Sequence, residues 1–275
     1  KDPHRRNVAV GQHGGGGAGG GACLALLGDG EHGSLAPQGQ QGFFHGLGAG
    51  ETLDPQANAT SGMGLDKNAL RHTLYEGLLG EAAGQSLVHD SAIPALKVIP
   101  TNVELIGFEV EMMAAADREK CLRRLIAPLR PQFDYIILDC PPSLSLLTLN
   151  ALTAADSLII PLQCEFYALE GLGQLLQTVK RVKRALNPGL EITGILLTMF
   201  DRRTNLAHQV AAEAEKHFKD LVFKTTIPRN IRLGEAPSFG KPIILYDATS
   251  QGAQSYIELA REIMTPTFET SAASA

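Results

Sequence analysis

FDYIILDCPPSL, residues 133–144, is the stretch whose reading decides the fold. Apolar residues run from Tyr135 to Leu138 into Asp139, and Pro141 and Pro142 follow almost at once. A short apolar run without polar alternation, bounded by turn residues, reads as a strand buried on both faces. A carboxylate at the end of such a strand is costly unless something satisfies it, and a hydrated Mg²⁺ bound to nucleotide phosphates is one suitable partner. That is a Walker-B layout; an aspartate that merely caps the next turn is the competing reading. The two prolines fix the backbone beyond the strand, which suits a loop that must respond to a γ-phosphate.

Outward from this strand, apolar runs at 98–100, 158–162, 192–198, 222–227 and Ile243–Tyr246 read as further strands. Amphipathic stretches at 117–129, 170–186, 206–218 and Gln251–Met264 read as helices. The alternation predicts an α/β fold, a mostly parallel sheet with helices on both faces. Ligands of such sheets bind at the carboxyl ends of the strands, so the residues just after each strand are the candidates for function.

Composition narrows the class. A chain of 275 residues, 44% hydrophobic, supports one large domain. No apolar run approaches the ~20 residues of a membrane span, and no signal-peptide layout opens the chain, so a cytoplasmic protein is expected. Cys23, Cys121, Cys140 and Cys164 lie far apart, which argues for reduced thiols over a zinc site or a disulfide framework. The net charge of -5 excludes a protein coated in basic charge, so any nucleic-acid contact must be local. Lys180, Arg181, Lys183 and Arg184 cluster on a predicted helix and read as its solvated face.

Four more segments carry a specific likeness: LDPQANATSGMG at 53–64, PLQCEFYALEGL at 161–172, LLTMFDRRTNL at 196–206 and IPRNIRLGEAPSFGKPI at 227–243. With the Asp139 segment, and in this order, they resemble the ParA/Soj family of DNA-partitioning ATPases, relatives of MinD, over residues 53–264. The resemblance implies a P-loop NTPase-like fold that binds ATP and Mg²⁺. By the same resemblance Asp54 orients the attacking water, and Asp139 holds Mg²⁺ through water. Thr198 and Asp201 with Pro228, Arg229 and Asn230 surround the adenine, and Arg203 and Arg232 grip DNA without reading sequence. It further implies an ATP-dependent homodimer on nonspecific DNA, associated with the nucleoid in the cytoplasm, and a ParB-like partner that stimulates hydrolysis. The tail at 266–275 has none of the basic amphipathic character of a MinD membrane anchor, so no membrane partner is expected.

The resemblance stops short of the N-terminus. Residues 11–50 hold 16 of the chain's 29 glycines, no lysine occurs between Lys1 and Lys67, and the stretch reads as loop or disorder. The family opens with a strand and a deviant Walker-A loop, to which 8–10 and Gly14, Gly15 and Gly17 correspond in register. His13 stands where the signature lysine belongs, Ala18 where the phosphate-binding lysine belongs, and Gly19 where the Mg²⁺-ligating hydroxyl belongs. Backbone N–H groups of the glycines can still face phosphate. The lost cations cannot be replaced so easily, since hydrogen bonds to charged groups contribute about 1.5–3 kcal/mol each. ATP binding is therefore expected to be weak. A short strand before the D-P-Q motif is also expected and missing, with Gly50, Glu51 and Thr52 in its place.

The chain thus divides into a degraded glycine-rich region at 1–52, a ParA-like domain at 53–265 and a tail. Genuine decay of the loop and a reading-frame fault that recovers near Leu53 both account for the pattern. Function divides likewise. The first reading is a partitioning ATPase with impaired hydrolysis; the alternatives are a catalytically dead DNA- or partner-binding module and a MinD-like positioning ATPase.

Overall fold

Residues 24–28, 48–53, 55–66, 70–94, 96–141 and 143–264 are described by the computed structural model. Their strands are β1 Leu24–Gly28, β2 Gly48–Thr52, β3 His89–Asp90, β4 Leu96–Ile99, β5 Tyr135–Asp139, β6 Ser157–Gln163 and β7 Glu191–Thr198. Their helices are α1 Asn58–Gly62, α2 Leu74–Leu79, α3 Gly107–Glu111, α4 Cys121–Ile126 and α5 Leu146–Ala154, then α6 Ala168–Ala185, α7 Asn205–Phe218, α8 Ile231–Glu235, α9 Ile243–Tyr246 and α10 Gln251–Met264. One sheet forms in the order β3-β4-β2-β5-β1-β6-β7.

Strand β2 pairs parallel with β4 and β5, and β6 pairs parallel with β7. Both β5 and β6 pair antiparallel with β1 and so run the same way as each other. Only β1 and the edge strand β3 oppose that common direction, so the sheet is mostly parallel as expected. Every residue of β6 from Ser157 to Leu162 is buried. Successive side chains of a strand point to opposite faces, so unbroken burial requires cover on both sides. Pro161 is tolerated within β6 because it lies beyond Ile159, where the β1 ladder ends.

Four readings of the sequence need correction. First, Gly50, Glu51 and Thr52 do not mark a lost strand: they belong to β2, which pairs on both sides from Gly48↔Tyr135 to Thr52↔Asp139 and from Gly48↔Leu96 to Glu51↔Ile99. The backbone of an interior strand is satisfied by its two neighbours whatever its side chains, so G-A-G-E-T forms a strand without apolar alternation. Second, the glycine-rich stretch 11–50 is not all loop, because it contains β1. The expected first strand at 8–10 lies outside the described residues, and the slot between β5 and β6 is filled by Leu24–Gly28 running against both.

Third, Ile243–Tyr246 is a helical turn, with the N–H groups of Leu245 and Tyr246 bonded to the Pro242 carbonyl at 2.9 and 3.0 Å. A short apolar run cannot be assigned by periodicity alone, and a preceding proline favours a helix start. Fourth, 222–227 lies beside β7 but is no strand: it makes one isolated parallel bridge, Ile195↔Val222, and a second, Phe200↔Pro228, falls just past its end. The N–H groups of Lys224 and Thr225 are taken instead by the Glu262 carboxylate on α10, at 2.7 and 2.9 Å. Of the expected helices, 170–186, 206–218 and Gln251–Met264 correspond to α6, α7 and α10, while 117–129 holds the shorter α4.

Two contacts tie the motif segments together. Thr60 of α1 and Thr101, beyond β4, are both buried; the Thr101 N–H donates to Thr60 Oγ1 at 3.1 Å, and Thr60 Oγ1 donates to the Thr101 carbonyl at 3.4 Å. Gly64 and Gly240 meet backbone to backbone, both with positive φ. A Cβ on Gly64 would stand 3.1 Å from the Gly240 carbonyl oxygen, so the approach of 53–64 to 227–243 requires glycine.

The core runs through Ile136 and Leu138 of β5, Ile159 and Ile160 of β6, Leu196 of β7, Leu122 and Ile126 of α4 and Leu152 of α5. Within it Asn150 is fully buried and fully used. Its Oδ1 accepts the Leu122 N–H at 3.1 Å, and its Nδ2 donates to the carbonyls of Arg118 and Leu146 at 2.9 and 3.0 Å. Asn150→Ala leaves a helix-start N–H and two carbonyls without that partner. We expect a loss of about 2–4 kcal/mol, read as a lower urea midpoint at an unchanged m-value. A midpoint within error of the parent would show that these groups find other partners.

Candidate functional site

The carboxyl ends of the parallel strands line up along one edge, and the positions singled out in the sequence gather there in two groups. The first forms where β2 lies beside β5. Thr52 pairs with Asp139, and the Leu53 N–H donates to the Asp139 carbonyl at 2.8 Å. The loop that carries the D-P-Q motif therefore leaves the sheet next to the loop that follows Asp139. Asp54 itself lies outside the described residues, as do Gly14, Gly15, Gly17, His13, Ala18 and Gly19. Its neighbours do not: Leu53 is fully buried, and Pro55 lines a shallow recess of ≈ 200 Å³ with Pro141, Ser143, Ser145, Leu147, Ile106 and Glu109.

That recess contains a cap arrangement invisible in the sequence. Ser145 occupies the N-cap position of α5 but makes no capping hydrogen bond. The Leu146 N–H is satisfied instead by Glu109 Oε1 of α3 at 3.0 Å. Ser145 Oγ is left buried with no hydrogen-bond partner. An orphaned hydroxyl in this recess, which Pro141 just past β5 also lines, suits a polar ligand, because burial without a partner costs about 1–3 kcal/mol. The first turn of α5 thus depends on a carboxylate from another element, a long-range pairing that no local pattern reveals.

The second group forms at the end of β7. The Phe200 N–H donates to the Ile227 carbonyl at 3.0 Å and the Arg229 N–H to the Phe200 carbonyl at 3.2 Å, which brings Pro228, Arg229 and Asn230 against Thr198 and Asp201. The Cys164 N–H donates to the Thr198 carbonyl at 3.2 Å, so the ends of β6 and β7 are joined. Asn230 spends its side-chain oxygen capping α8 through the Arg232 N–H at 3.0 Å. Met199 holds a left-handed backbone at φ 52, and Ala57, just past the D-P-Q motif, does so at φ 56. Non-glycine residues in that region carry strain of about 1–3 kcal/mol and cluster at ligand sites.

The two candidate DNA arginines are exposed and paired. Arg203 makes a fork with Asp201, Nε to Oδ1 at 2.9 Å and Nη2 to Oδ2 at 2.7 Å, with its side chain 87% exposed. The Arg203 guanidinium, aided by the Arg203 N–H, holds the Asp201 carboxyl well below the usual carboxylate range. Arg232 bonds Glu235 at 2.9 Å and reaches Asp247 at 3.5 Å. Exposed pairs of this kind are worth about 0–1 kcal/mol, so a phosphate can compete for either guanidinium. Lys180, Arg181 and Arg184 on α6 are exposed, in keeping with a solvated face.

Between the two groups stand β1 and β6. Three strand spacings of about 4.8 Å put the ends of β5 and β7 roughly 14 Å apart. Cys140 and Cys164 directly follow β5 and β6; both are buried, and burial pushes the Cys164 thiol up to about 11, so it stays a neutral thiol at ordinary pH. No group of three or more metal-ligating side chains occurs among the described residues. Among the same residues no helix is long and apolar enough to cross a membrane.

A family model described as an AAA domain matches residues 52–192. The chain is 55% identical over 212 residues to the chromosome partitioning protein ParA of Myxococcus xanthus, covering 77% of this chain and 75% of that one. It is 52% identical over 211 residues to the sporulation initiation inhibitor protein Soj of Bacillus subtilis, covering 77% and 83%. Among solved structures, cobyrinic acid a,c-diamide synthase from Mycobacterium smegmatis with bound ADP and magnesium shares the fold at a TM-score of 0.70 and 34% identity, over 80% of this chain and 82% of that one. Identity at this level across most of both proteins means that the chain belongs to the ParA/Soj family of chromosome-partitioning proteins, P-loop NTPases in fold.

Proposed function

We propose that this chain is a ParA-like partitioning ATPase that forms a homodimer on nonspecific DNA, acts with a ParB-like partner at the nucleoid, and hydrolyses ATP poorly or not at all. The observation that carries the reading is the shared strand edge: Thr52 and Leu53 against Asp139 at one end, and Thr198 and Asp201 against Pro228–Asn230 at the other. That spacing suits a molecule with phosphates at one end and a base at the other. Asp54, one residue beyond Leu53, is assigned the role of orienting the attacking water, and Asp139 that of holding Mg²⁺ through water.

Fit to magnesium ATP is uneven. The base end has its loops assembled, with Asp201 as acceptor and the backbone of Pro228 and Arg229 close by. The phosphate end has the Asp139 carboxylate and the Ser145 hydroxyl but no cation from the N-terminal segment, since neither lysine nor arginine occurs from Asn7 to Asp66. The slot between β5 and β6 is held by β1 running against its neighbours. The residues present do not fit a triphosphate, and no chemical step is assigned through one. Gly14, Gly15 and Gly17 remain candidates to contribute backbone N–H groups alone.

DNA contact is assigned to Arg203 and Arg232. Arg203 lies on the exposed turn after β7 and Arg232 in the exposed first turn of α8, and both are held by carboxylates weak enough to be displaced. Phe166 and Tyr167, on the loop after β6, are 75% and 60% exposed and meet edge to face at 5.0 Å, which gives a second copy an apolar contact at this edge.

Nucleotide binding, turnover and DNA binding test the assignment. Titration of fluorescent ATP with Mg²⁺ should show binding to the parent at least about a hundredfold weaker than to a variant carrying His13→Lys, Ala18→Lys and Gly19→Thr. Parent turnover above about 0.001 per second in the presence of DNA would overturn the impaired-hydrolysis reading. In the repaired background, Asp54→Ala should keep DNA binding and lose hydrolysis; unchanged hydrolysis would make Asp54 a turn residue. Separately, salt titration of duplex DNA binding should show the slope reduced by about 1 for each of Arg203→Ala and Arg232→Ala, with no change in sequence preference. A slope equal to the parent's in both variants would remove these arginines from the DNA surface.

A further inference from the structure

The segment after Asn230 presents an aromatic face that neither the core nor the proposed activity uses. Helix α8 runs without a break into a 3₁₀ turn, Ala236–Phe239, because Glu235 and Ala236 both keep right-handed helical backbone. Gly240 ends the turn in a left-handed conformation at φ 60, with its N–H bonded to the Pro237 carbonyl at 3.0 Å, and the Lys241 N–H bonds the Ala236 carbonyl at 3.3 Å. The chain therefore reverses, and Pro242 sends it into α9. This reversal lays Phe239 against Tyr246, stacked with ring centroids 5.0 Å apart and planes 28° from parallel. Tyr246 is half-buried and packs against Ala236, Ile243 and Ala253. Phe239 is 63% exposed and is no part of that cluster or of the main core, so Tyr246 is the backing and Phe239 the open face. A ring held flat in this way offers its face to a partner at little further cost in rotamer freedom.

Charge indicates what the face accepts. The Tyr246 hydroxyl donates to Glu235 Oε2 at 3.2 Å, and Arg232 Nη1 donates to the same oxygen at 2.9 Å. One carboxylate oxygen thus joins the aromatic pair to a guanidinium, and Arg232 is held in its charged form first by Glu235 and further by Tyr246. Lys241, two residues past Phe239, is exposed and forms no ion pair among the described residues; the same holds for Arg229. From Arg229 to Asp247 three cations stand against two carboxylates, Glu235 and Asp247. Both carboxylates are already engaged, with Arg232 and with local hydrogen bonds to Tyr246 and the Ser250 N–H. A flat apolar face beside a guanidinium and an uncompensated ammonium is complementary to a nucleotide, whose planar base lies between two phosphates.

We propose that Phe239, backed by Tyr246, stacks on an unpaired base of single-stranded DNA whose flanking phosphates lie on Arg232 and Lys241. The proposal rests on the reading of Arg232 as a phosphate contact and adds a grip on the base. In a duplex both faces of each base are covered by its neighbours, and this ring has nothing to stack on unless a base is first extruded. The surface therefore favours a single strand over a duplex of equal charge. Every base has a π-face, so the preference is for strandedness and not for sequence.

The test uses the full chain, with a labelled oligothymidine and a labelled duplex of the same length followed by fluorescence anisotropy over a salt series. Phe239→Leu keeps most of the apolar bulk and removes the π-face. Its affinity for the single strand should fall at least about fivefold at an unchanged salt slope, while duplex affinity stays within error of the parent's. Phe239→Tyr should retain the parent's affinity for both. A 5-iodouracil placed within the oligothymidine should crosslink to Phe239 of the parent on irradiation. Arg232→Ala separates the two readings: an unchanged slope there, with a selective loss in Phe239→Leu, upholds the stack and leaves the phosphate contact to Lys241. Absence of single-strand binding by the parent, equal single-strand affinity in parent and Phe239→Leu, or an equal loss on both DNAs overturns the proposal. Parent self-association that Phe239→Leu abolishes also overturns it, assigning the ring to a second copy of this chain.

Discussion

Everything at the strand edge depends on the register of β2 against β5. The hydrogen bond from the Leu53 N–H to the Asp139 carbonyl closes that pairing at its carboxyl end, so two loops far apart in sequence leave the sheet side by side. A slip of one residue would shift the D-P-Q loop along the sheet relative to Asp139. The remaining ties act on the same two loops: Thr60 with Thr101 fixes α1 to the end of β4, and the Gly64–Gly240 contact fixes its far end to the segment that begins at Ile227. The site is thus positioned by backbone pairing first and by side chains second, which is the more rigid arrangement for loops that must hold a ligand.

What the sequence made legible follows from where each signal is local. Tyr135–Asp139 and the strand at 192–198 could be read because their apolar runs are continuous, and α6, α7 and α10 because one face of each repeats at helical spacing. Strand β2 could not, since G-A-G-E-T is held by neighbours on both sides and carries no pattern of its own. The helix at Ile243–Tyr246 was hidden for the opposite reason, a run of apolar residues too short to show its period.

The candidate site divides in the same way. Asp139, Thr198, Asp201 and Pro228–Asn230 stand at strand ends, where chemistry is expected in a parallel sheet, and the structure brings the last three groups together. Glu109 and Ser145 escaped notice because their importance lies in a pairing across thirty-seven residues, Glu109 with the Leu146 N–H, that leaves Ser145 without a partner. Arg203 and Arg232 were legible as cations but not as members of ion pairs, because Asp201 and Glu235 are polar loop residues with several possible roles until their geometry is known.

Glu262 gives the last helix a second duty beyond packing. By accepting the N–H groups of Lys224 and Thr225, it occupies donors on the segment flanking β7, the outermost strand on that side of the sheet. Unsatisfied donors at such a border are templates for another chain to add a strand. The C-terminal helix therefore serves as a guard against edge-to-edge aggregation, and trimming the chain ahead of Glu262 would compromise solubility before it compromised the fold.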